Sequence, residues 1–241
     1  MHKYASDLLL LFDIDGTLVR RAGPHHRQAL VDAVRGVTGL ETTTEDIPVH
    51  GMLDPDILAE MMRRAGAAPE SIHEAMPAIL EEAQRVYEAI CPVLQRKACP
   101  GVKRLLAGLA RRRVPCVLVT GNLARIAWRK LDRAGLARYF VFGSFAGTAH
   151  TRAALARNAI RMARRRGLLR KDTEVWLIGD APQDVKAARA NRINSIGVHT
   201  GISGPRDLGN LRPTLLVRDL TALKVYRGGT GVLNLATNGR E

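Results

Sequence analysis

Leu8 to Leu18, LLLLFDIDGTL, is the stretch from which the fold of this 241-residue chain is read. Five apolar residues, Leu8 to Phe12, predict a strand buried on both faces. The run then breaks into Asp13, Ile14, Asp15 and Gly16, the composition of a turn at the carboxyl end of a strand. Open α/β sheets hold their ligands at that end. Residues i and i+2 of an extended segment point the same way, so Asp13 and Asp15 can address one site, although a chain turning at Gly16 can splay them. Two carboxylates so close together call for a cation between them, and hard oxygen ligands suit Mg²⁺. The same residues also suit a turn whose acids cap the next segment.

Three further signals follow in order. A second apolar strand, Val114 to Val119, ends in Thr120-Gly121-Asn122; a third, within Trp176 to Ile178, ends in Gly179-Asp180, with Asp184 four residues on. Between them, His150-Thr151-Arg152 opens a helical pattern. Asn122 at a helix start is also a natural N-cap, and an acid pair such as Asp180 and Asp184 there also complements the helix macrodipole. Taken together, DxDGT, an apolar strand ending in T-G-N, a cation and GDxxxD resemble the haloacid dehalogenase-superfamily phosphatases over residues 7 to about 200.

The resemblance implies a Rossmann-like, mainly parallel sheet covered by helices, with an inserted α-helical cap domain. It also implies roles for residues. Asp13 is the nucleophile and becomes an aspartyl-phosphate; Asp15 is the general acid and base. Asp13, Asp180 and the backbone carbonyl of Asp15 hold Mg²⁺, with Asp184 behind them. Thr120, Gly121, Asn122 and Arg152 bind the phosphoryl group. Arg152 departs from the lysine commonest in the family, and Arg157 competes for the same role. Asp15 argues against a dehalogenase, which has no alkoxide to protonate, and against a phosphonatase. A sugar phosphomutase and a catalytically weak binding protein of the same fold stay open as alternatives. Phosphoglycolate phosphatase-like proteins often carry G-R/K-T-D ahead of a cap helix, where this chain reads His50-Gly51-Met52-Leu53-Asp54, so phosphoglycolate is not assumed as substrate. His25, beside His26, and Met52 are the candidate substrate contacts, and the expected partner is a small phosphorylated metabolite.

Composition agrees without demanding this. Apolar residues make up 46% of the chain, enough for a sizeable core. Three cysteines, Cys91, Cys99 and Cys116, show no C-x-x-C spacing, so neither a disulfide framework nor a zinc site is expected; reduced thiols in the cytoplasm are. No segment approaches the roughly 20 apolar residues that span a membrane. The formal net charge of +14 invites a nucleic-acid partner. Its arginine runs, Arg111–Arg113 and Arg164–Arg166, however, end predicted helices where cations complement the macrodipole, and only 4% of residues are aromatic. No specific nucleic-acid recognition is expected.

The remaining pattern divides the chain. Helices are predicted from His25 to Val37, from an Asp54 N-cap with Pro55 to Gly66, and from Pro69 to about Ile90. These make residues 21–97 a helical cap, leaving residues 1–20 and 98–226 as the core domain. From Pro100 helix and strand alternate, including helix 152–165 and strands 174–178, 195–198 and 215–217. Residues 227–241 read as a loosely held tail able to add an edge strand.

Overall fold

The computed structural model describes residues 6–20, 23–227 and 233–237. Its centre is β1, Ser6–Phe12, whose Leu8 to Phe12 are all fully buried. A strand covered on both faces needs an apolar run rather than alternation. Each such leucine contributes roughly 1.5–3 kcal/mol of burial. β1 lies between β2, Cys116–Val119, and β4, Leu169–Gly179, with β3, Phe140–Ser144, outside β2. β5, Asn194–Val198, and β6, Leu215–Val217, complete a six-stranded sheet in the order β3-β2-β1-β4-β5-β6. Every pairing in it is parallel. The chain order reverses direction at β1, and that makes a crevice at the carboxyl ends of β1, β2 and β4.

Three helices intervene between β1 and β2 before the core resumes: α1, His25–Thr38, α2, Asp54–Arg64, and α3, Pro69–Ile90. α1 and α2 pack on α3 through Leu30, Ala33, Leu58, Met61, Ile79 and Ala83. The insert leaves and rejoins the core through two neighbouring strand-like passages: Arg20 donates its amide to Lys97, and Cys99 donates to Leu18. Among the core helices are α4, Val102–Arg111, α5, Ala124–Ala134, α6, Arg152–Arg165, and α7, Pro182–Ala190; α8 is Pro205–Gly209.

Asp54 is not the cap of its own helix. Leu53 holds the N-cap position, and the Asp54 carboxylate crosses instead to the Leu123 amide at 2.8 Å and His26 Nε2 at 3.2 Å. A buried carboxylate takes the strongest donors in reach, and these come from elsewhere in the chain. Asn122 does not cap α5 either; Leu123 precedes that helix. Among the described residues the C-terminal segment adds no edge strand to the main sheet. Leu233–Thr237 (β8) pairs antiparallel with Leu223–Arg227 (β7) as a separate hairpin, because β7 already lies beside α4. The rest of the expected tail, 228–232 and 238–241, lies outside the described residues.

Candidate active site

The three strand ends deliver their polar residues to one place. Asp13 directly follows β1, and its amide donates to the Ile178 carbonyl at 3.0 Å, tying it to β4. Asp180 follows β4, and Asp184 lies in the first turn of α7. All three acids are buried and offer ligand atoms within 4.8 Å of one another. The third carboxylate of the group is thus Asp184, while the side chain of Asp15 turns elsewhere.

Arg152, at the start of α6 and only 8% exposed, reaches into this cluster. Its guanidinium donates to Asp13 Oδ1 at 2.8 Å and to the Val119 carbonyl at 3.2 Å, and its Nε lies 3.4 Å from Asp184 Oδ1. Arg157, one and a half turns on, is exposed. Burial works against the charge of Arg152, but Asp184 and Asp13 outweigh it and hold the guanidinium firmly protonated.

Three carboxylates share this one guanidinium, and the shortfall shows in their acidity. Burial, opposed by Arg152 and reinforced by Asp15, raises Asp13. Burial pushes Asp180 up to about 8, with Asp13 and Asp184 adding repulsion. Asp184 is pushed up to about 7 by burial, against the pull of Arg152. Like charges 4 Å apart repel by about 4 kcal/mol at an effective dielectric of 20. Asp180 Oδ2 and Asp184 Oδ1 are also buried without a hydrogen bond. Under-neutralised, all-oxygen and partly unbonded, the cluster fits a hard divalent cation such as Mg²⁺.

The surroundings hold these acids in place. Thr17 Oγ1 donates to Asp180 Oδ1 at 3.2 Å, and the Ala181 amide donates to Asp184 Oδ2 at 3.2 Å, so Asp184 also satisfies the start of α7. Gly16 has φ +85°, and a Cβ there would sit 2.3 Å from Asp180 Oδ2; only glycine permits the turn. His50 Nε2 lies 3.6 Å from Asp180 Oδ2 and 2.8 Å from Ser203 Oγ; burial lowers its pKa more than the neighbouring acids raise it.

Asp15 occupies different ground. Its two oxygens lie 2.7 and 2.6 Å from Lys130 Nζ, and Asn122 Nδ2 donates to it at 2.9 Å. Burial pushes its pKa up, but Lys130, His26 and the Asn122 amide together outweigh that and lower it below the ordinary carboxylate value. Lys130 was not singled out from the sequence. The signal was present: it shares the buried stripe of α5 with Ile126, Ala127, Leu131 and Ala134, a place where a solvated lysine has no business.

A cavity of about 560 Å³ opens between this crevice and the insert. Asp13, Asp15, Asn122, Arg152 and Asp180 line it from the core; His26, Arg27, Leu30, Met52 and Ile57 line it from the insert. Thr120, Gly121 and Asp184 stand behind the wall. Thr120 Oγ1 accepts from the Asn122 amide at 3.3 Å and from its side chain at 3.2 Å. Gly121 lies against the insert: a Cβ there would sit 2.3 Å from the Met52 carbonyl oxygen, and its own carbonyl accepts from the Asp54 amide at 2.8 Å. His25 lies outside the lining, and its neighbour His26 is on it.

The description of the haloacid dehalogenase-like hydrolases matches residues 8–191, which hold every strand end and acid of this site. The chain belongs to that family. This hydrolase is 28% identical over 221 residues to a phosphoglycolate phosphatase of Agrobacterium fabrum, covering 89% of its own length and 90% of the relative. Among solved structures, the hydrolase resembles a β-phosphoglucomutase from Clostridium difficile with a TM-score of 0.69 at 19% identity, over 90% of this chain and 92% of that one. It also resembles a hydrolase from Pseudomonas syringae with a TM-score of 0.62 at 21% identity, over 88% and 94% of the two chains. At those identities the structures establish the fold. Among the described residues no helix is long and apolar enough to cross a membrane.

Proposed function

We propose that this hydrolase is a Mg²⁺-dependent phosphatase acting on a small phosphate monoester through an aspartyl-phosphate. The observation that carries the reading is the buried cluster of Asp13, Asp180 and Asp184 at the carboxyl edge of the sheet, with Arg152 paired to Asp13 and Asp184. Mg²⁺ would be held by Asp13, Asp180 and the backbone carbonyl of Asp15, and when bound it would supply positive charge to offset repulsion between the Asp13 carboxylate and the ester's oxygens.

Arg152 binds phosphoryl oxygens, aided by the Thr120-Gly121-Asn122 turn. An Asp13 oxygen forms a bond to phosphorus as the ester P–O bond breaks; Asp15, ionised in the free site, takes the proton that a monoanionic ester brings and passes it to the departing alkoxide. Asp15 then takes a proton from water as that water attacks phosphorus. The Asp13–phosphorus bond breaks, leaving inorganic phosphate and the free carboxylate. Residues 21–97 act as the cap over the core of 1–20 and 98–226, supplying Met52 and His26 to the substrate's organic part. A cytoplasmic location fits three free, buried cysteines.

The test is turnover of a panel of phosphorylated sugars, nucleotides and small acids with Mg²⁺, read as released phosphate. Release that depends on Mg²⁺ and vanishes in Asp13→Asn supports the reading. An isomerised sugar phosphate without phosphate release makes the protein a mutase. Turnover that persists in Asp13→Asn overturns the nucleophile.

A further inference from the structure

Lys130 is fully buried, yet its ammonium is completely engaged. Nζ contacts both oxygens of Asp15, lies 2.6 Å from Asn122 Oδ1 and lies 3.1 Å from His26 Nδ1. An ammonium has three hydrogens and no lone pair, so each of these contacts is a donation, with one hydrogen shared between the two Asp15 oxygens. His26 Nδ1 is therefore an acceptor. Its other nitrogen, Nε2, then carries the hydrogen and donates to Asp54 Oδ2, which also accepts the Leu123 amide. The His26 ring stacks edge-on against Tyr87, 5.6 Å between centroids, and Lys130 lies 5.8 Å from the centroid of that ring.

The result is one continuous chain of donors and acceptors, from Asp15 through Lys130 and His26 to Asp54. Its first two members belong to the core and its last two to the helical insert. A cation needed only for packing has no reason to choose its acid. Replacing a buried ion pair by apolar residues often leaves stability unchanged. This lysine grips Asp15, a carboxylate that lies on the cavity wall beside the acid cluster and outside it.

We infer that Lys130 is a positioning residue: it fixes the carboxylate of Asp15 at the cavity wall for proton transfer to the leaving group, with His26 and Asp54 bracing it from the insert. The inference rests on the acid and base role proposed above for Asp15. A side chain that aligns a proton donor matters in proportion to how badly the leaving group needs the proton. An alkoxide needs it, and a nitrophenolate scarcely does.

The experiment compares kcat and KM for β-glycerophosphate and p-nitrophenyl phosphate in the wild type, Asp15→Asn, Lys130→Met and His26→Phe, in saturating Mg²⁺. Lys130→Met lowers kcat for the alkyl ester by about 10²-fold and for the aryl ester far less, with little change in either KM. His26→Phe, which keeps the ring on Tyr87 but loses the acceptor, shows the same preference at about tenfold. It also keeps the test alive if Lys130→Met fails to fold. Equal losses on both esters in Lys130→Met, or in His26→Phe where the lysine variant does not fold, overturn the inference and leave a structural cation. Asp15→Asn is the reference. If Asp15→Asn discriminates between the esters and the others do not, only the inference falls; if Asp15→Asn does not discriminate, the acid and base reading falls and the inference with it.

Discussion

Asp13 and Asp15 stand two residues apart and live in opposite company. Asp13 shares one guanidinium with Asp180 and Asp184, and burial raises all three. Asp15 has a lysine to itself, with an amide and a histidine behind it, and its pKa is lowered. One strand end therefore makes a place short of positive charge and a place fully supplied with it. The turn at Gly16 separates them, which is how one residue type serves two chemical tasks. The lesson is that charge balance, more than spacing, distinguishes the carboxylates that await a cation from the one that already has its own.

The sharpest way to break this contrast is to alter the under-neutralised side. Asp180→Asn removes a ligand and a repelling charge together; phosphate release is expected to fall by at least about 10²-fold, and Mg²⁺ to lose its stabilising effect on melting. Unchanged Mg²⁺ stabilisation in that variant places the ion elsewhere. Arg152→Met removes the guanidinium that pairs with Asp13 and Asp184. A drop of about 3 kcal/mol in urea-unfolding stability without Mg²⁺ is expected, along with loss of turnover. Retained stability means that the acids protonate at no cost.

Acidity supplies a third test. In the unfolded chain Asp180 and Asp184 ionise near 3.8, but folded they hold their protons to about 8 and about 7. Across that window the metal-free fold binds more protons than the unfolded chain, so its stability falls as pH rises. Melting in EDTA should drop between about pH 5 and pH 8, and Mg²⁺ should recover most at the upper end, where the carboxylates are free to bind it. A melting temperature that rises across the window contradicts the account of the cluster. The smallest effect is expected from Gly121→Ala. Its Cβ meets the Met52 carbonyl, which is backbone and cannot swing aside, so a loss of about 1–3 kcal/mol and a raised KM should appear. A normal KM in that variant would show the Met52 side of the cavity to be immaterial to binding.

How far the sequence could be read depended on whether the controlling contacts were local. β1, β2 and the end of β4 were legible because apolar runs breaking into polar residues have one interpretation. α3 and α6 matched their expected bounds because Pro69 and Thr151 mark their starts. The first half of β4, Leu169–Thr173, was not legible: it is polar and largely exposed, and its place depends on pairing with Ser6. Asp54 was misread because its aspartate-proline pair is a local signal, whereas its carboxylate answers to Leu123 and His26, far away in sequence. Lys130 escaped because lysine is ordinarily solvated, and only its position on the α5 stripe marked it. The β7 and β8 hairpin rests on a pairing that no periodicity announces.

The crossing of Asp54 carries one more consequence. The amino end of α5 is the natural resting place for an anion at this edge of the sheet, and an internal carboxylate already sits on its Leu123 amide. An incoming phosphoryl group meets that helix partly screened by a resident of the same charge sign. Recognition of the phosphoryl oxygens then falls chiefly on Arg152, whose guanidinium stands beside the end of β2 at Val119.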